Sequence, residues 1–181
     1  MASAEPKDGV EMRCLTEDHV TPVKFIFGWS LLVVVKAGYV TDGATVSIAN
    51  GLKIDDETSC RLKKLIAKYF PGERIIDVYN RIVGTPWDVP RLLAAVVHDA
   101  LYSIKWCCRF MCDRVYKNIL KATNYSSVRR EIEYEAIRLV GWRNWNSISK
   151  DEQEWAKPLV SVKWVKTKRV QQEIEKLKQK G

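Results

Sequence analysis

His98 and Asp99 stand side by side in the segment Arg91-Leu92-Leu93-Ala94-Ala95-Val96-Val97-His98-Asp99-Ala100-Leu101-Tyr102. Imidazole changes charge near neutral pH, so it can take a proton from water and pass it to a leaving group. A neighbouring carboxylate can orient that ring or hold a hard cation. The chain has two histidines. His19 lies in a polar segment and is expected at the surface. His98 follows an apolar run, and at helical spacing Ala94, Ala95, His98 and Tyr102 share one face. The small alanines leave room beside the imidazole, and Tyr102 can hydrogen-bond across the face. Asp113 is the natural partner, because His98 lies eight residues before Trp106 and Asp113 seven after it. A chain reversal near Trp106 brings both to nearly the same height at about 1.5 Å per residue. Asp99 projects about 100° away around the helix. It is a candidate ligand for a hard cation, helped by loop carbonyls or by Asp42. Beside this stands a structural alternative, since a lone helical histidine is more often a satisfied core residue than a catalyst.

The elements that must position these residues are legible in outline. Residues 22–27 and 31–36 are rich in β-branched and aromatic types and read as two strands joined at Gly28-Trp29-Ser30. Leu31-Leu32-Val33-Val34-Val35 is apolar on both faces, which predicts a buried strand. Tyr39-Val40-Thr41 leads into a polar loop, Asp42-Gly43-Ala44-Thr45. Residues 1–10 look loose. Helices are expected over 58–69, over 89–105 with Asp88 as N-cap, over 109–123, and over 126–140 with Gly141 as the stop. Ser149 with Glu152 forms a capping-box signature for a short helix near 150–157. Residues 166–180 read as a polar, Lys-rich helix. The fold class that follows is α+β: a small N-terminal antiparallel sheet packed on a helical hairpin and further helices. Residues 11–145 form the domain, and 146–181 a basic helical extension.

Composition bounds the rest. Hydrophobic residues make up 46% of 181, enough for one domain with a core. A formal charge of +8 favours anionic partners. Residues 156–181 carry eight Lys/Arg against two Glu, with Trp164 among them. Such a stretch can bind nucleic acid or an anionic membrane surface, although a solvated helix is the commoner outcome. No apolar run has the length of a signal peptide or a membrane span. The five cysteines form no complete zinc pattern. Buried structural thiols are the expectation for Cys107, Cys108 and Cys112, in a reducing compartment.

Taken together, the Gly38–Thr45 loop, the Arg91–Tyr102 helix, and Arg109, Asp113 and Tyr116 on the next helix resemble a phage and prophage family called domain of unknown function 1353. The likeness covers roughly residues 22–142. Thr45 stands where that family usually has Ser, and Val46-Ser47-Ile48 lacks the usual Pro. The resemblance implies a phage protein, placed in the infected host's cytoplasm or in the virion. At site level His98-Asp99-Ala100-Leu101-Tyr102 is similar to the corresponding helix of secretory and parvoviral phospholipases. Carried over by position, that likeness makes His98 the base, Asp99 a calcium ligand and Asp113 the orienting carboxylate, with Tyr102 and Asp42 in support. The Gly-rich calcium loop and the disulfides of those enzymes are absent here.

The function expected is a hydrolase-like protein in which His98-activated water attacks an ester-like bond, with calcium as the candidate cofactor. Two other classes stay open. One is a non-catalytic accessory or virion protein that meets phage or host proteins. The other is a binder working through the basic C-terminal segment.

Overall fold

The computed structural model describes residues 2–7, 10–25, 27–41, 64, 67–72 and 89–179. The protein is α+β. One antiparallel sheet has the order β1-β2-β5, from β1 (Ala2–Lys7), β2 (Val10–Cys14) and β5 (Val40–Thr41). The first ten residues, read as loose, thus supply β1 and open β2. Backbone pairing of Ala2 with Cys14 and of Ser3 with Arg13 makes this strand without an apolar pattern.

The second sheet positions the core. Its order is β3-β4-β6, from β3 (His19–Lys24), β4 (Trp29–Val35) and β6 (Val160–Lys166), both pairings antiparallel. Leu31 to Val35 of the central strand β4 are all buried, and Leu31, Val33 and Val35 join the core formed with the helices. Pro22 is accommodated in β3, which pairs only with β4 among the described residues, so a missing N–H costs nothing on its outer side. The β3–β4 turn falls earlier than the sequence suggests. Phe27 and Gly28 take positive φ (63° and 73°), while Trp29 and Ser30 already belong to the ladder. Gly28 suits that conformation; Phe27 does not, and it stands 91% exposed at the tip.

From residue 89 onwards the chain forms the helices α1 (Val89–Ser103), α2 (Arg109–Ala122), α3 (Ser127–Ser147) and α4 (Lys150–Ala156). The reversal between α1 and α2 occurs at Trp106, as the sequence predicts. Lys105 at φ 45° donates to the Tyr102 carbonyl, and Trp106 donates to the Leu101 carbonyl, which closes the end of α1. Ala94, Ala95, Val96, Val97, Ala100 and Leu101 pack into one core with Val115, Ile119 and Leu120 of α2 and with β4. Ser149 caps α4, accepting from the Glu152 amide at 3.1 Å. The Glu152 carboxylate is turned instead towards Ser103 Oγ, 3.4 Å away.

Two expectations are corrected. Gly141 does not stop α3, which runs on to Ser147. A Cβ on Gly141 would lie 2.7 Å from the Tyr102 hydroxyl, so the glycine serves close approach between helices. The middle of the basic C-terminal segment is not helical. Val160–Lys166 is the third strand of the core sheet, and only Val170–Lys178 (α5) forms a regular helix beyond it. Of the helix expected over 58–69, residues 64 and 67–69 are helical; the rest of it, the Asp88 cap and the loop containing Asp42 lie outside the described residues.

Candidate functional site

The helical hairpin brings His98 and Asp113 together. His98 Nε2 lies 3.0 Å from Asp113 Oδ1. The same oxygen accepts from Tyr102 Oη at 2.5 Å, and Oδ2 accepts from Arg138 Nη1 at 2.6 Å. Arg109, one turn before Asp113 on α2, places Nη1 3.7 Å from Oδ2 and donates to the Arg138 carbonyl. Asp113 is fully buried and His98 is 8% exposed. The imidazole packs against Tyr102 (ring centroids 4.1 Å apart) and edge-on to Tyr116 (5.6 Å).

Burial alone would keep His98 neutral, but the hydrogen bond it makes to Asp113 and the nearby Asp99 carboxylate outweigh it, so its pKa is raised. For Asp113 burial likewise opposes the charge. The His98, Tyr102 and Arg138 hydrogen bonds win, and its pKa is lowered. Burial and the adjacent Asp113 charge raise the Tyr102 phenol, so Tyr102 is a fixed donor to Asp113 at neutral pH.

Asp99 sits on another side of α1. Its Oδ2 accepts from Thr41 Oγ1 at 2.7 Å, and its Oδ1 lies 3.7 Å from His98 Nδ1. With a 29% exposed side chain it is the more accessible of the two aspartates. Asp42, the other candidate metal ligand, lies outside the described residues. Among the described residues no three or more His, Cys, Asp or Glu side chains are grouped to hold a metal.

Arg138 is the residue of the candidate site that the sequence alone does not single out. It shares a stripe with Gly141 and Trp145 at i, i+3 and i+7. Gly141 receives the Tyr102 hydroxyl, and Trp145 packs edge-on against Tyr102 at 5.1 Å. A second buried cluster joins the same helices. Arg91 pairs with Glu133 at 3.2 Å, and Glu133 accepts from Tyr116 Oη (2.7 Å) and Tyr125 Oη (2.6 Å).

The thiol expectation holds for Cys112, which is buried and pushed up to about 12, chiefly by that burial. It fails for Cys107 and Cys108, which are exposed in the inter-helix turn. In the basic segment Lys163 pairs with Glu173 at 2.6 Å, and Lys163 and Lys166 fall on opposite faces of β6, an odd number of residues apart.

The site thus defines an α+β protein with a buried imidazole–carboxylate pair clamped between helices. Residues 79–137 match the family model described as Protein of unknown function (DUF1353), and this span holds Arg91, His98, Asp99, Tyr102, Asp113 and Glu133. The loop around Asp42 lies outside that match. No curated protein and no solved structure matches the chain.

Proposed function

We propose that the protein is a hydrolase-like enzyme acting on an ester bond, in the phage setting that the motif resemblance implies. One observation carries this reading: His98 Nε2 is tied to buried, ionised Asp113 at 3.0 Å, which leaves Nδ1 as the basic nitrogen. In the proposed step Nδ1 removes a proton from water as the water oxygen bonds to the ester carbonyl carbon. Asp113 stabilises the imidazolium, and the proton passes to the leaving alkoxide as its C–O bond breaks. Asp99 would hold a hard cation with Asp42, in keeping with the approach of Thr41 to Asp99. Such a cation would stabilise negative charge developing on the ester oxygen.

An ester-hydrolysis screen that includes phospholipid vesicles, with and without calcium, tests the reading. Wild type should turn over at least one ester, and His98→Asn should lower the rate by about 10²–10⁴-fold. Absence of wild-type activity on every ester would remove it. Titration calorimetry with calcium on wild type and Asp99→Asn separates the metal from the base; equal heats would take the metal out.

A second reading, a non-catalytic phage accessory or virion protein, is favoured by the 8% exposure of His98. It predicts that His98→Asn lowers the melting temperature in a protein inactive on all esters.

A further inference from the structure

The tip of the β3–β4 hairpin, the end of β6 and the start of α2 enclose an open cleft of about 610 Å³. Its walls are aromatic: Phe27, Trp29, Phe110 and Trp164, with Phe25 packed edge-on to Trp164 at 5.2 Å. These rings are not core residues that happen to reach the surface. Phe27 is 91% exposed, and Trp29, Phe110 and Trp164 are 42%, 44% and 44% exposed. Grouped apolar exposure of this kind marks a binding surface.

Among the described residues that line the cleft, the charge is of one sign. Arg114 lines it, with its guanidinium 5.6 Å from the Phe110 ring centre. Lys166 is the ladder partner of Trp29 and is exposed beside it. Arg138 lies 5.3 Å from the centre of the Phe110 ring. No acidic residue is among the described lining residues, and neither Arg114 nor Lys166 has a carboxylate partner among the described residues.

We propose that this cleft docks the protein on the surface of an anionic phospholipid bilayer. Aromatic rings favour the zone between headgroups and acyl chains, and cations beside them meet lipid phosphates. A protein partner would be met instead by a rim of hydrogen-bonding groups. The chain's charge of +8 draws it to the same surface. Among the described residues no helix is long and apolar enough to cross a membrane, so the contact is peripheral. This surface is distinct from the C-terminal basic helix, and docking does not require His98 to be catalytic.

Flotation of the full chain with ether-linked phosphatidylglycerol or ether-linked phosphatidylcholine vesicles tests docking where no acyl ester can be cleaved. The variants are Phe27→Asn, which suits the positive φ at that position, and the double substitution Arg114→Gln, Lys166→Gln. Wild type should bind phosphatidylglycerol vesicles and bind phosphatidylcholine at least about tenfold more weakly. Phe27→Asn should weaken the anionic binding about tenfold, the loss expected for one apolar ring withdrawn from the interface. The double variant should lose most of the preference for phosphatidylglycerol. Any one of three results overturns the proposal: no wild-type binding to phosphatidylglycerol, equal binding by wild type and Phe27→Asn, or lipid-free dimers in sedimentation that Phe27→Asn dissociates. The last would make a second copy of the chain the occupant.

Discussion

Asp113→Asn tests the electrostatic wiring of the site most directly. The substitution keeps the shape of the side chain and removes the one charge that faces His98, Tyr102 and Arg138 at once. Removing one partner of a buried ion pair costs about 3–5 kcal/mol. Arg138 is 26% exposed and can turn towards water, and the amide oxygen can still accept from Tyr102, so the lower end, about 3 kcal/mol, is expected. For a chain of this size that is roughly 6–12 °C in melting temperature. The effect depends on pH with a definite sign. The raised pKa of His98 means its protonated form stabilises the fold fully below the unfolded value of 6.5, and that contribution is lost as pH rises through the folded value. Asp113 has a lowered pKa, so its contribution is present above 3.8 and is lost as pH falls through the folded value. The gap between wild type and variant should therefore be widest between those limits and should narrow above the His98 transition. NMR titration of the imidazoles is the sharper assay, because His19 serves as an internal reference. Its pKa is lowered, chiefly by burial. In wild type the two histidines should titrate on opposite sides of 6.5. In Asp113→Asn, His98 should move downwards while His19 stays. A His98 transition that does not move would refute the reasoning.

Further substitutions probe the frame. Gly141→Ala should destabilise despite a gain in helix propensity of about 1 kcal/mol. The new methyl sits 2.7 Å from the Tyr102 hydroxyl and drives it off Asp113, so a raised melting temperature would contradict the packing described. Glu133→Gln takes the charge from a fully buried arginine and should cost about 3 kcal/mol, read from a denaturation midpoint; a change under about 0.5 kcal/mol, the usual surface value, would show the pair to be incidental. Truncation after Glu154 removes β6 from beside β4, so the shortened chain should lose its cooperative unfolding transition. A cooperative melt would mean that the sheet closes without its third strand.

The α1–α2 hairpin was legible because it is built from local signals: an apolar helical period, a break at Trp106, and nearly equal distances from it to His98 and Asp113. The buried β4 was legible because five consecutive apolar residues leave no solvent face. Arg138 was not, since it reaches Asp113 from a third helix whose docking no local pattern encodes. β6 was hidden by composition. Val160 and Val162 alternate towards the core, but four basic residues in Lys163–Arg169 gave the segment the look of a solvated helix. Gly141 misled for a related reason, because a glycine that ends a helix and one that admits a neighbour's hydroxyl look alike in sequence.

The two buried clusters on α1, α2 and α3 differ in a way that bears on function. Glu133 faces one arginine and two neutral phenols, and burial prevails, raising its pKa. Asp113 faces His98, Arg138 and Arg109, and the donors prevail over burial. The second arrangement holds a carboxylate's pKa down beside an imidazole, which is what the proposed general base requires. Arg138→Met tests this division of labour. Removing the cation takes a repulsive charge away from His98 and leaves Asp113 still paired with it, so the His98 pKa should rise, opposite to its fall in Asp113→Asn. If the site hydrolyses esters, the alkaline-going limb of its rate profile should move to higher pH in step with the NMR value, because only neutral His98 accepts the proton. Should both variants shift His98 in the same direction, Asp113 is not the group through which Arg138 acts, and the clamp described here is wrong.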